Sequence, residues 1–527
     1  MTFAKSTSAA SQREECIKGP SLIPRRMLAE IAPPASELFV AADQLPLPTD
    51  SPISGLDPLI VDVAIVGSPM VRKPTVESQG KMRKMSSASA VMQSVATKGL
   101  IMGINALTGI ITARALRPAG RGELAAMILW PVLLANALSL GLPSALTFQL
   151  RRNPGKQSQL VGSALFLALL SSAAAALLGA WFMSAFIPQY PPRVILFARI
   201  FLLSAPITSL LAVGRASLES RGDFAVSNKL LLWTPAMTLV GLVGLLATRS
   251  MNPFSAALAY VPTGIVPLAW MMRRLVKAFR PSLAHFRTAA MELFSYGIRS
   301  YGIDLCGTMA VYVDQALVVR LLQPDLMGTY VVALSLSRIL YALHGSVVMV
   351  LFPKAVSCPA QMVADMTSRA TRMSAAVAVL GGIGIIALGP QVLNLFYGKA
   401  YRNANVVLRI LVVEVILSGA GWVLSQAFMA LGRPGVINAL QVTGLALTVP
   451  LMFLLIPHFG IAGAGVALLC STIIRLLFVL ASFPIFLKMP VPNLLPKMED
   501  LRFAADVIGK GLESFRGTPL AAVDGSE

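Results

Sequence analysis

Long apolar segments, separated by short polar and basic stretches, follow one another from about residue 91 to residue 487. Each is close to the roughly 20 residues that a helix needs to cross a bilayer. Because a spanning segment must satisfy its own backbone polar groups, the pattern predicts an all-α, polytopic membrane protein. We place twelve transmembrane helices here, at 91–113, 124–147, 159–182, 194–216, 229–248, 254–275, 293–319, 328–351, 370–392, 406–429, 436–457 and 463–487.

These spans divide the chain into two halves of six helices each. Residues 1–90 mix proline, serine and charge without helical periodicity, which predicts a disordered cytoplasmic tail. The predicted domains are this tail, a first six-helix half (91–275), a cytoplasmic basic linker (276–292), a second six-helix half (293–487) and a cytoplasmic C-terminal tail (488–527) with an amphipathic helix at 495–515.

Composition supports the membrane interpretation and gives an orientation. The chain is 56% hydrophobic and only 13% charged, with a net charge of +20. The basic residues are spread over the short segments between the spans and form no single patch, so no nucleic-acid partner is predicted. With the N-terminus inside, twenty Lys and Arg near the span ends lie on the cytoplasmic side and nine on the other. The positive-inside rule therefore places both termini in the cytoplasm.

Two short motifs indicate an internal repeat. The pattern R-x-L-x-P-x-x-x-G occurs at 114–122, after the first predicted span, and again at 320–328, after the seventh, at an offset of 206. A weaker echo pairs Gly222 and Asn228 with Gly432 and Asn438, at an offset of 210. Since each half has an even number of spans, both halves enter the membrane from the same side. We therefore predict two parallel repeats related by an axis along the membrane normal.

Ionised residues lie inside the spans. Arg299, Asp304 and Asp314 fall in the seventh and Arg338 in the eighth. A charge within a spanning helix costs roughly 2.5 to 3.5 kcal/mol on insertion scales unless it faces a partner or a wet cavity. On a straight helix the first three would share one side over about 22 Å of rise. We expect that side to face a polar lumen.

Several segments carry a resemblance to a known family. They are ARALRPAGRGELAAMILW after the first span, LESRGDFAVSN after the fourth, YGIRSYGIDL and VDQALV in the seventh, MGTYVVALSL and VLFPKA in the eighth, and IPHFGIAGAGVAL before the twelfth. In this combination the chain resembles Wzx-type oligosaccharide flippases, which belong to the superfamily of MATE drug exporters and the lipid II flippase. The long N-terminal tail departs from that family pattern.

The resemblance implies a MATE-like, V-shaped bundle in the bacterial inner membrane. Such a protein flips a polyprenyl-pyrophosphate-linked oligosaccharide across that membrane by alternating access, during exopolysaccharide or lipopolysaccharide biosynthesis. The partners implied are the lipid-linked oligosaccharide, membrane lipids, and polysaccharide polymerase and chain-length machinery. Energy coupling, glycan identity and oligomeric state stay open at this point.

An anionic pyrophosphate crossing a membrane needs compensating positive charge in the cavity. Arginine suits this purpose because its planar guanidinium stays charged and binds phosphate oxygens in pairs. The candidate substrate-binding residues are Arg299, Arg338, Arg475, Lys98 and Arg199, although Arg199 could equally extend to the outer surface and Lys98 could be an interfacial lysine. The candidates for structural ion pairs or for coupling to a proton or cation are Asp304, Asp314 and Glu414.

The charges inside the spans and the short external loops also bear on three other functions. A multidrug exporter would favour an acidic or apolar cavity, and a glycan polymerase or ligase would be expected to have a sizeable external loop, which this pattern lacks. A scaffold without transport has no use for charge inside its spans. The four cysteines and three histidines show no metal-binding spacing, so no metal site is predicted. No other cofactor is predicted, and because an enzyme would not require two duplicated halves, the chain is not predicted to be one.

Overall fold

The computed structural model describes residues 87–494, with side chains described from residue 97 onward except at residue 303. Most of the predicted tail 1–90, the end of the tail 488–527, and the amphipathic helix predicted at 495–515 lie outside the described residues. Within residues 87–494 every regular element is a helix. The α-helices are α1 (Ser87–Ala137), α2 (Leu142–Arg152), α3 (Gln157–Phe186), α4 (Pro192–Phe201), α5 (Ala205–Ser220), α6 (Phe224–Ala247), α7 (Pro253–Leu258), α8 (Tyr260–Phe279), α9 (Phe286–Leu321), α10 (Pro324–Ser337), α11 (Tyr341–Ala355), α12 (Ala360–Val392), α13 (Ala404–Ala430) and α14 (Pro434–Ser482).

The all-α membrane architecture predicted from the sequence is confirmed. Nine helices in the described part are long and apolar enough to cross a membrane, or ten if the bent α9 is one span. Two elements, α1 and α14, are 51 and 49 residues long and contain one non-helical residue each, Arg117 (φ 58°) and Gly460 (φ 58°). Arg117 precedes a proline, which disfavours helical backbone, and Gly460 tolerates positive φ. The count of twelve and the repeat stay predictions.

The second predicted span, 124–147, is interrupted in the structure. Helix α1 ends at Ala137, and the chain turns through Leu140 (φ 52°) and Gly141 (φ 67°) before α2 begins at Leu142. Hydropathy did not reveal this break because the residues on both sides of it are apolar. A Cβ atom at Gly141 would lie 2.5 Å from the carbonyl oxygen of Gly297, so the turn packs directly against α9.

Helix α9 connects the two predicted halves. It begins at Phe286, within the predicted linker 276–292, and packs against α14 in the second half and against α2 and α3 in the first. Its axis bends by 48° between Phe286–Gly302 and Asp304–Leu321. Side chains before and after this bend therefore do not share the single face that a straight helix would give them.

The two copies of the R-x-L-x-P-x-x-x-G motif meet in the structure. A Cβ atom at Gly122 would lie 1.7 Å from the carbonyl oxygen of Pro324, and one at Gly328 would lie 1.9 Å from that of Pro118. Each motif glycine thus packs on the proline carbonyl of the other motif. Only glycine permits this approach, since any side chain there would displace backbone.

The arginines of the same motifs make a second pair of reciprocal contacts. Arg114 in the first half donates to the carbonyl oxygen of Leu395, just beyond α12. Arg320 in the second half donates through Nη1 to the carbonyl oxygen of Ala185 in α3, at 2.9 Å. Each bond joins one half to a residue just after the third predicted span of the other half, 159–182 or 370–392. We call the end of the bundle that holds these contacts the motif end.

Candidate functional site

A cavity of about 780 Å³ lies among α1, α9, α10, α11, α13 and α14. This volume is within the range typical of sites for small ligands. Five of its lining side chains are ionisable as acids or strong bases, three cations and two carboxylates: Lys98, Asp314, Arg338, Glu414 and Arg475.

The first carboxylate of this cavity is shielded by its partners. Asp314 Oδ2 lies 3.6 Å from Arg338 Nη2 and accepts a hydrogen bond of 2.8 Å from the Tyr330 hydroxyl. The Asp314 side chain is 3% exposed and that of Arg338 is 34% exposed. The carboxylate therefore lies behind the guanidinium, and the cation is the member of the pair that reaches the cavity surface.

The second carboxylate is buried in the same way. Glu414 is 8% exposed and accepts a hydrogen bond of 2.8 Å from the Thr472 hydroxyl. No cation among the described residues lies within 4 Å of it. One turn further along α13, the Ser418 hydroxyl accepts from Arg475 Nη2 at 3.1 Å and lies 2.6 Å from the Tyr341 hydroxyl. Arg475 is half-buried and keeps most of its donors for other partners.

Two aromatic residues give the cavity surfaces on which a flat or ring-shaped ligand could pack. Tyr341 in α11 and Trp422 in α13 both line it, with ring centroids 6.4 Å apart at an angle of 61°. Each ring combines an apolar face with a polar group at its edge. This combination suits the faces and hydroxyl groups of sugars.

Several lining residues were missed from the sequence. Ser418, Trp422 and Ser425 line the cavity from α13 together with the predicted Glu414, at spacings that put all four on one helical face. Small and polar residues at this spacing within an apolar span were the signal that could have found them. The other polar lining residues that we did not predict are Tyr341, Ser346, Gln441, Thr448, Ser471 and Thr472.

Arg299, a leading candidate, does not line this cavity. It is exposed on the part of α9 that precedes the bend, whereas Asp314 lies after it. The projection onto a straight helix placed the two on one side and failed for this reason. Arg199 is also elsewhere: it is exposed on α4 and donates to the Ser184 hydroxyl at 2.8 Å.

Asp304 faces a different cavity. It is half-buried and lines a space of about 230 Å³ between α9 and the first-half helices α1, α2 and α5. Its Oδ2 accepts from the Ser144 hydroxyl at 3.1 Å, in place of the arginine partner that we had considered. Among the described residues there is no group of three or more His, Cys, Asp or Glu side chains placed to hold a metal ion.

Comparison with known proteins relates the chain to one family. Residues 111–406, more than half of the chain, match the family described as "Polysaccharide biosynthesis protein". A curated relative, the probable low-salt glycan biosynthesis flippase of Haloferax volcanii, is 24% identical over 236 residues, which are 44% of this chain. The chain matches about half of that relative's length, 49%.

Solved structures show the same fold at low sequence identity. The lipid II flippase MurJ in an inward closed conformation is 14% identical, with a TM-score of 0.65 over 81% of this chain and 93% of its own. An inward-facing multidrug resistance transporter of the MATE family is 15% identical, with a TM-score of 0.61 over 75% of this chain and 99% of its own. The MATE-like fold predicted from the sequence is therefore confirmed.

Proposed function

This chain belongs to the polysaccharide biosynthesis protein family, and from that premise we propose that it is a flippase for a polyprenyl-pyrophosphate-linked oligosaccharide. It moves the head group across the bacterial inner membrane by alternating access while the lipid tail stays in the bilayer. The name of the Haloferax relative, a glycan biosynthesis flippase, supports this proposal, and the fold shared with transporters agrees with it.

One observation carries the proposal for the substrate. In the cavity, Asp314 and Glu414 are buried against their own donors, whereas Arg338, Arg475 and Lys98 are half-buried or exposed. The surface offered to a ligand is therefore cationic, although acids and bases lie close together. A pyrophosphate gains charge-assisted hydrogen bonds from such a surface, and guanidinium groups can bind its oxygens in pairs.

The rest of the head group has matching partners in the same cavity. Sugars next to the pyrophosphate would pack on Tyr341 and Trp422 and bond to the hydroxyl and amide groups around them. Glu414 has no cation within 4 Å among the described residues, so we propose it as the protonatable residue that couples transport to an ion gradient.

The contacts at the motif end fit the state of a transport cycle in which the outer side of the cavity is closed. By the positive-inside rule both termini are cytoplasmic, which places the motif end outside. The reciprocal glycine and arginine contacts would then close the outer side of the cavity. In alternating access these contacts must separate before the head group can leave. We further propose that polymerase and chain-length machinery receive the product.

The test is complementation of a bacterial strain that lacks its polysaccharide flippase, with variants compared at equal membrane abundance. The wild type should restore surface glycan, and Arg475→Ala should lower it by at least about tenfold, since it removes charge-assisted bonds. Arg199→Ala is the matched control, because Arg199 is exposed and bonds to Ser184 away from the cavity.

Three results would contradict the proposal. If Arg475→Ala restored as much glycan as the wild type, the cationic cavity would not be the substrate site. If the wild type failed to restore glycan but raised resistance to cationic drugs, the multidrug exporter would replace the flippase. If the wild type changed neither surface glycan nor drug resistance, but purified membranes formed new glycan linkages, the polymerase or ligase would be favoured.

A further inference from the structure

The small cavity beside Asp304 is lined largely by oxygen-bearing side chains. It holds about 230 Å³ and lies apart from the cavity assigned to the head group. Five neutral polar side chains surround the single carboxylate, contributed by helices of both halves and by the turn after α1: Asn136, Ser139, Ser144, Ser209 and Thr308. Oxygen ligands of this kind are those preferred by hard cations.

The charge of Asp304 is not balanced by a described residue. No Lys, Arg or His in the described part lies within 4 Å of its carboxylate. Ser144 is the one described side chain that donates to it, at Oδ2, and no described residue donates to Oδ1. An ionised carboxylate within a spanning helix is expensive unless a positive charge accompanies it. The site therefore calls for either a proton or a cation.

A second observation comes from the break between α1 and α2. The last residues of α1, Ala135 and Asn136, line the same cavity, and the helix stops at Ala137. The carbonyl end of a helix carries partial negative charge. The Ala137 carbonyl accepts from the Tyr301 hydroxyl and the Asn136 carbonyl from the Ser139 N–H, so this helix end favours a cation through its dipole. Interrupted helices at polar spaces are typical of ion sites in transporters.

The neutral oxygens are free to take part. The Ser209 hydroxyl, on a residue only 5% exposed, has no hydrogen-bond partner among the described residues. Asn136 uses its amide nitrogen to donate to the carbonyl oxygen of Val132 at 2.8 Å, which leaves its amide oxygen as an acceptor. A protonated Asp304 would donate one hydrogen bond and would need only one acceptor. The several oxygen acceptors around it fit a cation better, because a cation takes several oxygen ligands.

We propose that this cavity binds a monovalent cation of the size of Na⁺, held by Asp304 with Ser209 and Asn136. One carboxylate balances one positive charge, whereas a divalent ion would require more anionic ligands. Because Asp304 belongs to α9 and the other ligands to first-half helices, the bound ion joins the two halves. That its occupancy drives transport rests on the proposed function, but the binding itself does not.

The experiment uses the purified full-length chain in detergent. Its thermal unfolding midpoint is followed while NaCl replaces choline chloride at constant ionic strength. A bound ligand stabilises the folded state in a saturable way that reports its affinity. We expect saturable stabilisation of the wild type, its loss in Asp304→Asn, and a roughly tenfold weaker apparent affinity in Ser209→Ala. Asp365→Asn, which changes an exposed carboxylate on α12, should behave as the wild type.

Three results would overturn the proposal. Na⁺ without effect on the wild type, or with the same effect on Asp304→Asn, would exclude the site. Stabilisation by acid alone that disappears in Asp304→Asn would assign a proton in place of a cation. Ser209→Ala keeps the test decisive if Asp304→Asn does not fold. Saturable Na⁺ binding by a chain that fails the complementation assay would leave the site standing and refute the proposed function alone.

Discussion

At the scale of single residues, a buried histidine shows how closely two helices pack. His344 is fully buried in α11, with Nδ1 3.2 Å from the carbonyl oxygen of Leu340. Its ring lies against Gly419 of α13, where a Cβ atom would be 2.3 Å from two ring atoms. This histidine, for which the sequence predicts no metal site, thus fills a space that a glycine leaves open, which is a packing role.

This contact gives a prediction on stability. Gly419→Ala should destabilise the chain by about 1 to 3 kcal/mol, because the added methyl group must displace a buried ring in a packed core. The matched control is Gly421→Ala, where the nearest atom to the new Cβ is Leu476 Cδ1 at 3.7 Å. Since alanine favours helix over glycine, that variant should be neutral or slightly stabilising.

The measurement is the thermal unfolding midpoint of both variants in detergent. Adding His344→Ala to Gly419→Ala should recover part of the loss caused by the glycine substitution, because the clash disappears with the ring. Equal midpoints for Gly419→Ala and Gly421→Ala would show that the ring does not occupy the position described.

The same scale shows how far sequence reasoning extends. Charge inside an apolar span identified Asp314, Arg338, Glu414 and Arg475, because a charged residue in a spanning helix is costly unless it faces a partner or a polar cavity. It could not place Arg299, since the wheel projection assumes a straight helix and α9 bends between Gly302 and Asp304. Neutral lining residues were missed because Ser and Thr in a helix also bond to their own backbone, so their presence alone does not indicate a cavity.

At the scale of elements, the two glycines at the motif end bring the predicted halves into direct backbone contact. Gly122 and Gly328 each pack on the proline carbonyl of the opposite motif. Hydropathy predicted the helices on both sides but not this contact, because the sequence pattern shows a repeat without showing that its copies touch. Met327, beside Gly328, is fully buried here and reports on whether the contact is closed.

We therefore predict that Gly122→Ala opens the motif end. A Met327→Cys reporter, in a background with the native cysteines changed to serine, should react several-fold faster with a membrane-impermeant maleimide in Gly122→Ala. The reason is that a methyl group 1.7 Å from the Pro324 carbonyl oxygen forces backbone apart. Gly109→Ala, on the same helix with nothing within 4 Å of the new Cβ, is the control.

Unchanged labelling in Gly122→Ala would mean that the contact does not hold this end closed. Thermal unfolding of each variant separates local opening from general unfolding. Only a faster reaction at a near-normal midpoint supports the prediction.

At the scale of the whole molecule, the reciprocal arginine bonds act in parallel between the halves. Arg114 reaches the second half at Leu395, and Arg320 reaches the first at Ala185. A hydrogen bond of this kind contributes about 1 kcal/mol. Because the two sites are separate, their effects on the closed state should add.

We predict that Arg114→Ala and Arg320→Ala each raise the open fraction roughly fivefold, and that the double variant raises it by roughly 30-fold. The Met327→Cys labelling rate measures that fraction. Arg193→Ala, an exposed arginine at the start of α4, serves as a control for loss of charge alone. A double variant no faster than either single variant would show that the two bonds do not share one closing step.

The positions paired by the predicted repeat share backbone contacts at the motif end but not the charges of the cavity. At the offset of 206, Asp314 corresponds to Thr108, and at the offset of 210, Glu414 and Arg475 correspond to Ser204 and Ile265. The two predicted halves thus differ in the charge that they bring to the larger cavity, where Lys98 is the one charged group from the first half among the described lining residues. If the halves separate as the proposed function requires, a bound head group stays bound to the second half. The contact that breaks on the first half is the one with Lys98.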